Sequence, residues 1–423
     1  MMTTAREPAE AHGTPDPPGA HGDREPGTGR RILMLVLATA GFAVNFWAWA
    51  LLSPLGPRFQ ESLGLNAFEQ ALVVAVPVVV GSLGRIPVGA LTDRLGGRVM
   101  FPLVSAATIV PVLFVGLIGH DSLAALLAGG FFLGIGGTAF AVGVPFVNAW
   151  FPPERRGLAI GVFGAGMGGT AISALTTVRL VKAGSLATPF LVTAAALALY
   201  AVAAAVVLRD APDRVRPGES LARRLSTVGR MAITWQAAAL YSVAFGGYVA
   251  FSVYLPAYLK TAYGLSQSDA SMRMAGFVLL AVLMRPLGGW ASDHAGPVRV
   301  LSVAMAVVGV AAAVQATTPA LAPVATIAFL AMAAALGAGT GAVFALVAQL
   351  VPAPRVGAVT GVVGAAGGLG GFVPPLVMGA VYGHYGSYAA GLAALAVVAA
   401  ATGLFTLTLV RHRVHLALPV RAA

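Results

Sequence analysis

Gly89-Ala-Leu-Thr-Asp93-Arg94-Leu-Gly96-Gly97-Arg98 and Gly288-Gly-Trp-Ala-Ser-Asp293-His-Ala-Gly296-Pro-Val-Arg299 are one short loop written twice, with Asp293 lying 200 positions after Asp93. A Gly/Asp/Arg turn that occurs once is a solvated tight turn. Two at matching places mark a duplicated chain. The same offset pairs Arg85 with Arg285, Glu69 with Asp269 and Pro152 with Pro352. It also carries Gly157, Gly161, Gly164 and Gly168 onto Gly357, Gly361, Gly364 and Gly368. With 53 glycines in 423 residues, chance would pair only about three glycines at that offset, so the self-similarity is a real internal repeat.

What is repeated is apolar. Hydrophobic residues make up 58% and charged residues 10%, with mean hydropathy +0.86, against roughly 25% charged for a soluble domain. So few charges cannot cover a water-soluble globule, which excludes an ordinary soluble enzyme and a disordered chain. The net charge of +11 is spread between apolar runs rather than gathered into a patch, which excludes a nucleic-acid module. With no cysteine there is no disulfide framework and no thiolate chemistry. Runs long enough to cross a hydrocarbon core of about 30 Å are expected near 32–56, 69–91, 99–119, 122–149, 157–180, 188–208, 233–258, 268–291, 299–317, 321–349, 358–382 and 387–410. The expected fold is all-α: twelve transmembrane helices in two pseudo-symmetric six-helix bundles, 32–208 and 233–410. A linker at 209–232 joins them, between a disordered tail at 1–31 and a short tail at 411–423.

Orientation follows from the positive-inside bias. With both termini inside, nineteen arginines fall in inner segments: Arg6, Arg24, Arg30, Arg31, Arg94, Arg98, Arg155, Arg156, Arg209, Arg214, Arg216, Arg223, Arg224, Arg230, Arg299, Arg355, Arg411, Arg413 and Arg421. Five cations fall outside: Arg58, Arg179, Lys182, Lys260 and Arg273. The expectation is a multi-pass protein of the inner (cytoplasmic) membrane with both termini cytoplasmic, the bilayer its partner and the monomer its state.

Arg85 and Arg285 are the anomaly. Each lies eight residues before a loop aspartate, hence roughly 12 Å into the membrane, where an arginine costs about 2.5–3.5 kcal/mol. All fifteen carboxylates fall in the tail, in loops or at helix ends, so none is expected at that depth to neutralise either arginine. One unpaired guanidinium from each half then implies an imported counter-charge, a small anion held between the halves. The fixed donors of a guanidinium suit a planar oxyanion. Histidines are likewise confined to tails, loops and helix ends, so proton coupling is not required.

Around this pair stand further candidates. Gly164, Gly168, Gly364 and Gly368 belong to stripes at i, i+4, i+7 and i+11 spacing; close helix packing is their first reading, and a smooth face fronting the anion is its extension. Phe140 and Phe344 occupy similar places in the fourth and tenth helices and are expected as aromatic walls. Phe245, Tyr248 and Phe251 lie in the seventh helix, and Asn45 is an amide deep in the first, available to substrate or to a neighbouring helix. Asp93, Arg94 and Asp293 of the repeated loop are expected to form a gate. No nucleotide-binding loop, metal cluster or catalytic signature is present, so no cofactor and no enzymatic activity are expected, and the protein must be driven by gradients.

The duplicated Gly-x-x-x-Asp-Arg-x-Gly loop and the six-plus-six layout resemble the major facilitator superfamily. Gly136-Gly-Thr-Ala-Phe-Ala-Val-Gly-Val-Pro-Phe-Val-Asn-Ala-Trp-Phe-Pro-Pro-Glu-Arg-Arg-Gly-Leu-Ala-Ile-Gly161 is similar to its nitrate/nitrite porter family. So are Ala43-Val-Asn-Phe-Trp-Ala-Trp49, Gly247-Tyr-Val-Ala-Phe-Ser-Val-Tyr-Leu-Pro256 and Gly364-Ala-Ala-Gly-Gly-Leu-Gly-Gly-Phe-Val-Pro374. The resemblance implies that Arg85 and Arg285 are the substrate arginines, with Phe140 as a wall and Phe251 nearby. One departure is Gly166-Met167-Gly168, where the family commonly has an asparagine, so an amide donor is missing. The expected function is alternating-access transport of nitrate and nitrite, as exchange. Nitrate–proton symport is the alternative, as is another small anion such as formate, oxalate or cyanate, which the arginine pair alone would serve.

Overall fold

The computed structural model describes residues 27–152, 156–212, 221–351 and 355–410. Most of the expected N-terminal tail, the tail 411–423, Pro352 of the repeat and Arg155 lie outside the described residues. Among those residues are twelve helices long and apolar enough to cross a membrane, and no strand. They are α1 Thr28–Leu63, α2 Ala67–Gly89, α3 Gly97–Leu117, α4 Leu123–Trp150, α5 Ala159–Ala183, α6 Thr188–Val207, α7 Ala232–Tyr263, α8 Gln267–Ala295, α9 Pro297–Ala316, α10 Leu321–Val347, α11 Ala358–Tyr385 and α12 Ala389–Thr408.

Two spans run past their expected ends at 56 and 258, to Leu63 and Tyr263. Polar residues there (Arg58, Gln60 and Glu61; Lys260) end the apolar run but not the helix, which continues to the first residue that reverses the chain cheaply. Those residues are Gly64 at φ +64° and Gly264 at φ +65°. Gly96 at φ +88° and Gly296 at φ +84° likewise end the helices carrying the repeated loop. The repeat thus recurs in the terminators. It recurs in the starts too: Asn66 accepts from the Glu69 N–H at 2.9 Å, and Ser266 from the Asp269 N–H at 3.2 Å. Glu69 and Asp269 are therefore helix-capping acids.

The expected linker contains an unexpected helix, Leu221–Gly229. Its apolar positions Leu221, Leu225 and Val228 are too few to register as a span. The Thr234 hydroxyl and the Trp235 indole donate to the carbonyls of Val228 and Gly229 at 2.7 and 2.8 Å, joining this helix to the start of α7.

Hydrocarbon offers no hydrophobic drive between helices, so spans associate through close packing of small residues. The closest approaches are symmetric. Gly81 of α2 meets Gly134 and Gly137 of α4, and a Cβ on Gly134 would overlap the Pro77 carbonyl. In the other half a Cβ on Gly337 or Gly341 of α10 would overlap the Ala281 or Arg285 carbonyl of α8. Both arginine-bearing helices are therefore seated against glycine, which sets the depth and azimuth of Arg85 and Arg285. Gly341→Val should destabilise the protein by about 1–3 kcal/mol by forcing α8 away. Gly276→Val, at a site with open space around it, should not. Thermal unfolding in detergent, followed by size-exclusion monodispersity, distinguishes the two.

Candidate functional site

Arg85 and Arg285 end up in one layer, at 7% and 8% exposure. Each reaches across to the other half. Arg85, on the helical segment Arg85–Leu95 that continues α2, donates from Nη1 to the Gly364 carbonyl of α11 at 2.8 Å and from Nε to the Gly137 carbonyl at 3.4 Å. Its guanidinium carbon lies 5.2 Å from the centre of the Phe140 ring and 5.6 Å from that of Phe245, so one ring comes from each half. Arg285 of α8 donates to the Tyr241 hydroxyl at 3.3 Å, points Nη1 at the Met167 sulfur of α5, and lies 5.8 Å from the Phe344 ring. Among the described residues neither arginine has a carboxylate partner. Each uses two of its five N–H donors in these bonds, leaving three for a ligand.

The glycine stripes divide between two tasks. Gly164 fronts Arg285, whose guanidinium would lie 3.8 Å from a Cβ placed there, and Gly161 and Gly168 face open space. Gly364 fronts Phe140 and Arg85, and Gly361 faces open space. Close packing, the first reading of these stripes, applies to Gly368 against Ser82 but otherwise to different glycines. Gly166 and Gly169 press on Phe42 and Ala43 of α1, and Gly367 and Gly370 on Tyr241 and Ser242 of α7. A period of 3.6 residues separates the two faces of one helix.

The remaining candidates are placed as follows. Phe140 and Phe344 both contact an arginine. Tyr248 is one step away: its hydroxyl meets Thr170 of α5 at 3.3 Å, and its ring stacks on Phe245 at 5.9 Å. One open alternative is decided and one expectation needs correction. Asn45 donates to Gly41 and Ser105, each at 2.8 Å, and accepts from Thr108 at 3.4 Å, so its amide is consumed joining α1 to α3. Phe251 packs on Phe277 and Phe329 with ring centres 5.4 and 6.2 Å apart, ten residues and about 15 Å along α7 from Tyr241. Asp93 and Arg94 sit at the end of the Arg85–Leu95 helix; the Asp93 side chain lies outside the described residues, Arg94 is exposed and partnered, and Asp293 is exposed.

Tyr241 was missed. It stacks on Phe245 with ring centres 4.8 Å apart and planes 3° from parallel, and meets the Phe344 ring at 4.9 Å, so it links the surroundings of both arginines. The signal was present: Tyr241, Phe245 and Tyr248 fall at i, i+4 and i+7 on one helical face. In the other half Phe42, Phe140 and Phe163 form the facing wall, with Phe42 stacked on Phe163 at 4.8 Å.

Beyond the arginine layer, on the face opposite the ends of the described chain, the halves are bound together. The Ser53 hydroxyl donates to the carbonyls of Ser252 and Val253 at 3.1 and 2.7 Å, and Lys182 to Ser268 at 2.9 Å. The Gln267 amide donates to the Pro54 carbonyl, and Lys260 pairs with Glu61.

Two outcomes separate lining residues from structural ones. Gly164→Leu should lower anion flux at least tenfold in folded protein, because it fills space before Arg285, whereas Gly164→Ala makes only ordinary contacts and should retain most flux. Asn45→Ala should cost about 0.6–1.7 kcal/mol of stability, the range for an interhelical hydrogen bond in a membrane. Its half-saturating anion concentration should not move.

Comparison with known proteins agrees with this architecture. Residues 38–272 and 237–422 match the Major Facilitator Superfamily. The chain is 48% identical over 349 residues to the "Probable nitrate/nitrite transporter NarK2" of Mycobacterium tuberculosis, covering 82% of this chain and 88% of that one. It is 35% identical to the "Nitrite extrusion protein" of Bacillus subtilis, covering 84% and 88%. Among solved structures, a bacterial homolog of the human lysosomal transporter Spinster, in an inward-facing and occupied conformation, superposes with a TM-score of 0.72 at 20% identity, covering 94% of this chain and all of that one. That likeness carries the fold alone; the sequence relatives carry more, and by them this chain belongs to the nitrate/nitrite porter family of the major facilitator superfamily.

Proposed function

We propose that the protein carries nitrate and nitrite across the cytoplasmic membrane by alternating access, exchanging one for the other at the Arg85–Arg285 layer. One observation carries this reading: two buried guanidinium groups, one from each half, with no carboxylate beside either. Carbonyls and rings solvate the two charges without cancelling them, and a monovalent planar oxyanion fits what remains. Its rim takes the free N–H donors, and its faces meet the rings of Phe140, Phe344 and Phe245. The relatives named for nitrate and nitrite support that choice over formate, oxalate or cyanate.

The same balance favours exchange. Without an anion the two arginines repel each other, because like charges share one buried layer. With one bound, the halves can draw together around it, so the loaded carrier crosses between its two open forms more readily than the empty one. No histidine or carboxylate stands in the layer among the described residues to take up a proton, which disfavours symport. The arginine bias supports an orientation with both termini in the cytoplasm and the face bearing Ser53, Lys182 and Lys260 outside. Asp93, Arg94 and Asp293 then lie at the cytoplasmic mouth, where they serve as its gate. The carrier works as a monomer, each chain holding a complete anion layer.

Flux in proteoliposomes tests this. Nitrate uptake should need internal nitrite or nitrate, and should fall at least tenfold in both Arg85→Lys and Arg285→Lys, because lysine keeps the charge and loses the fork. Equal uptake into empty vesicles, accelerated by an inward proton gradient, would reject exchange in favour of symport.

A further inference from the structure

A second recess, away from the arginines, lies between α7, α11 and α12. We propose that it binds one acyl chain of a bilayer phospholipid, and that this chain braces the face of the carrier closed by Ser53 and Lys260. The cavity measures about 220 Å³ and is lined by Gly247, Ala250, Phe251, Tyr254, Pro375 and Met378 among others, almost wholly apolar. It exists because α11 breaks. Its first helix ends at Gly370, Gly371 and Phe372 turn, and Val373-Pro374-Pro375 begins the second. Proline cannot continue the incoming hydrogen-bond ladder, so the wall steps back from α7.

The occupant follows from the rim and the shape. Val373, Val377 and Val398 line the recess and are 57%, 40% and 47% exposed, so it opens sideways onto the lipid-facing surface, where hydrocarbon is the surrounding medium. Along α7 it runs from Gly247 to Tyr258, about 16 Å of helix axis, a length that suits a chain better than a compact molecule. At one end is Tyr258, 3% exposed, five residues before the end of α7, its ring packed on Phe329 and Tyr388.

The walls of the recess are also the seal. On its other flank α7 accepts from Ser53 at Ser252 and Val253. The second half of α11 packs through Gly379 on Ala67, Phe68 and Ala71 of α2. A chain filling the recess holds α7 and α11 apart at their outer edge and presses both toward the opposing half. Binding requires only the recess, and its consequence rests on the alternating-access reading above.

The test uses the full chain in vesicles containing phosphatidylglycerol with a photoreactive acyl chain, followed by peptide mapping. Adducts on the lining stretches of α7, α11 and α12 should exceed those around Val110 and Val310, which are more exposed at 69% and 66%, at least fivefold. Ala394→Trp, which fills the recess from an exposed lining position on α12, should bring them to background. Uniform labelling of lipid-facing spans, labelling by a photoreactive free fatty acid but not by the phospholipid, or crosslinks to a second copy in place of lipid would overturn the site. The brace is read separately. The chain has no cysteine, so Ala71→Cys reports opening of the sealed face to a maleimide. Adding phosphatidylglycerol to delipidated protein should slow that reaction severalfold, and should have no effect when Ala394→Trp is also present. Unchanged reactivity in the single variant would overturn the brace, whatever the transported anion proves to be.

Discussion

Two positive charges held near each other inside a membrane protein, with no negative side chain among the described residues to answer them, set the terms for the rest of the structure. Placing one arginine at such depth costs about 2.5–3.5 kcal/mol. A desolvated ring beneath a cation returns about 2 kcal/mol, and Arg85 has two such rings while Arg285 has one. Carbonyls of Gly137 and Gly364, and the Tyr241 hydroxyl, supply further dipoles. These groups make the arginines tolerable without making them neutral. The layer is stable enough to exist and keeps unused N–H donors.

The glycines follow from the same requirement. An arginine head can reach the opposing half only if both backbones approach closely, and side chains on the facing helices would prevent it. Gly164 and Gly364 supply that approach on the two sides of the pseudo-symmetry. Other glycines do the opposite work of immobilising helices: Gly134 and Gly137 lock α4 to α2, and Gly337 and Gly341 lock α10 to α8. The interface between the halves and the interfaces within each half thus use one residue type on different helical faces.

Much of this was legible along the chain. Spans declare themselves by length and apolarity, because a backbone in hydrocarbon must satisfy its own hydrogen bonds as a helix. Arg85 and Arg285 declared themselves by an inventory of acids. Less legible were matters of direction. Asn45 is equally polar whether it faces a ligand or Ser105, and Phe251 equally aromatic whether it faces an anion or Phe277. Tyr241 lay on the same helical face as Phe245 and Tyr248 but one turn earlier, and nothing in a single helix tells where along its length the other half will meet it. The helix Leu221–Gly229 was missed because amphipathic segments of nine residues look like linker until something packs on them.

The amino-acid order by itself determined the membrane, the number of spans, the duplication, and the two charges that must be answered, because each depends on local composition or on position along one helix. Folding in three dimensions decided that Arg85 meets Gly364 and Phe245, that Arg285 meets Met167 and Tyr241, and which glycines front the arginines and which lock helices together. Those contacts join residues far apart in the chain, and they depend on the rotation and depth at which helices pack, quantities that no single helix encodes.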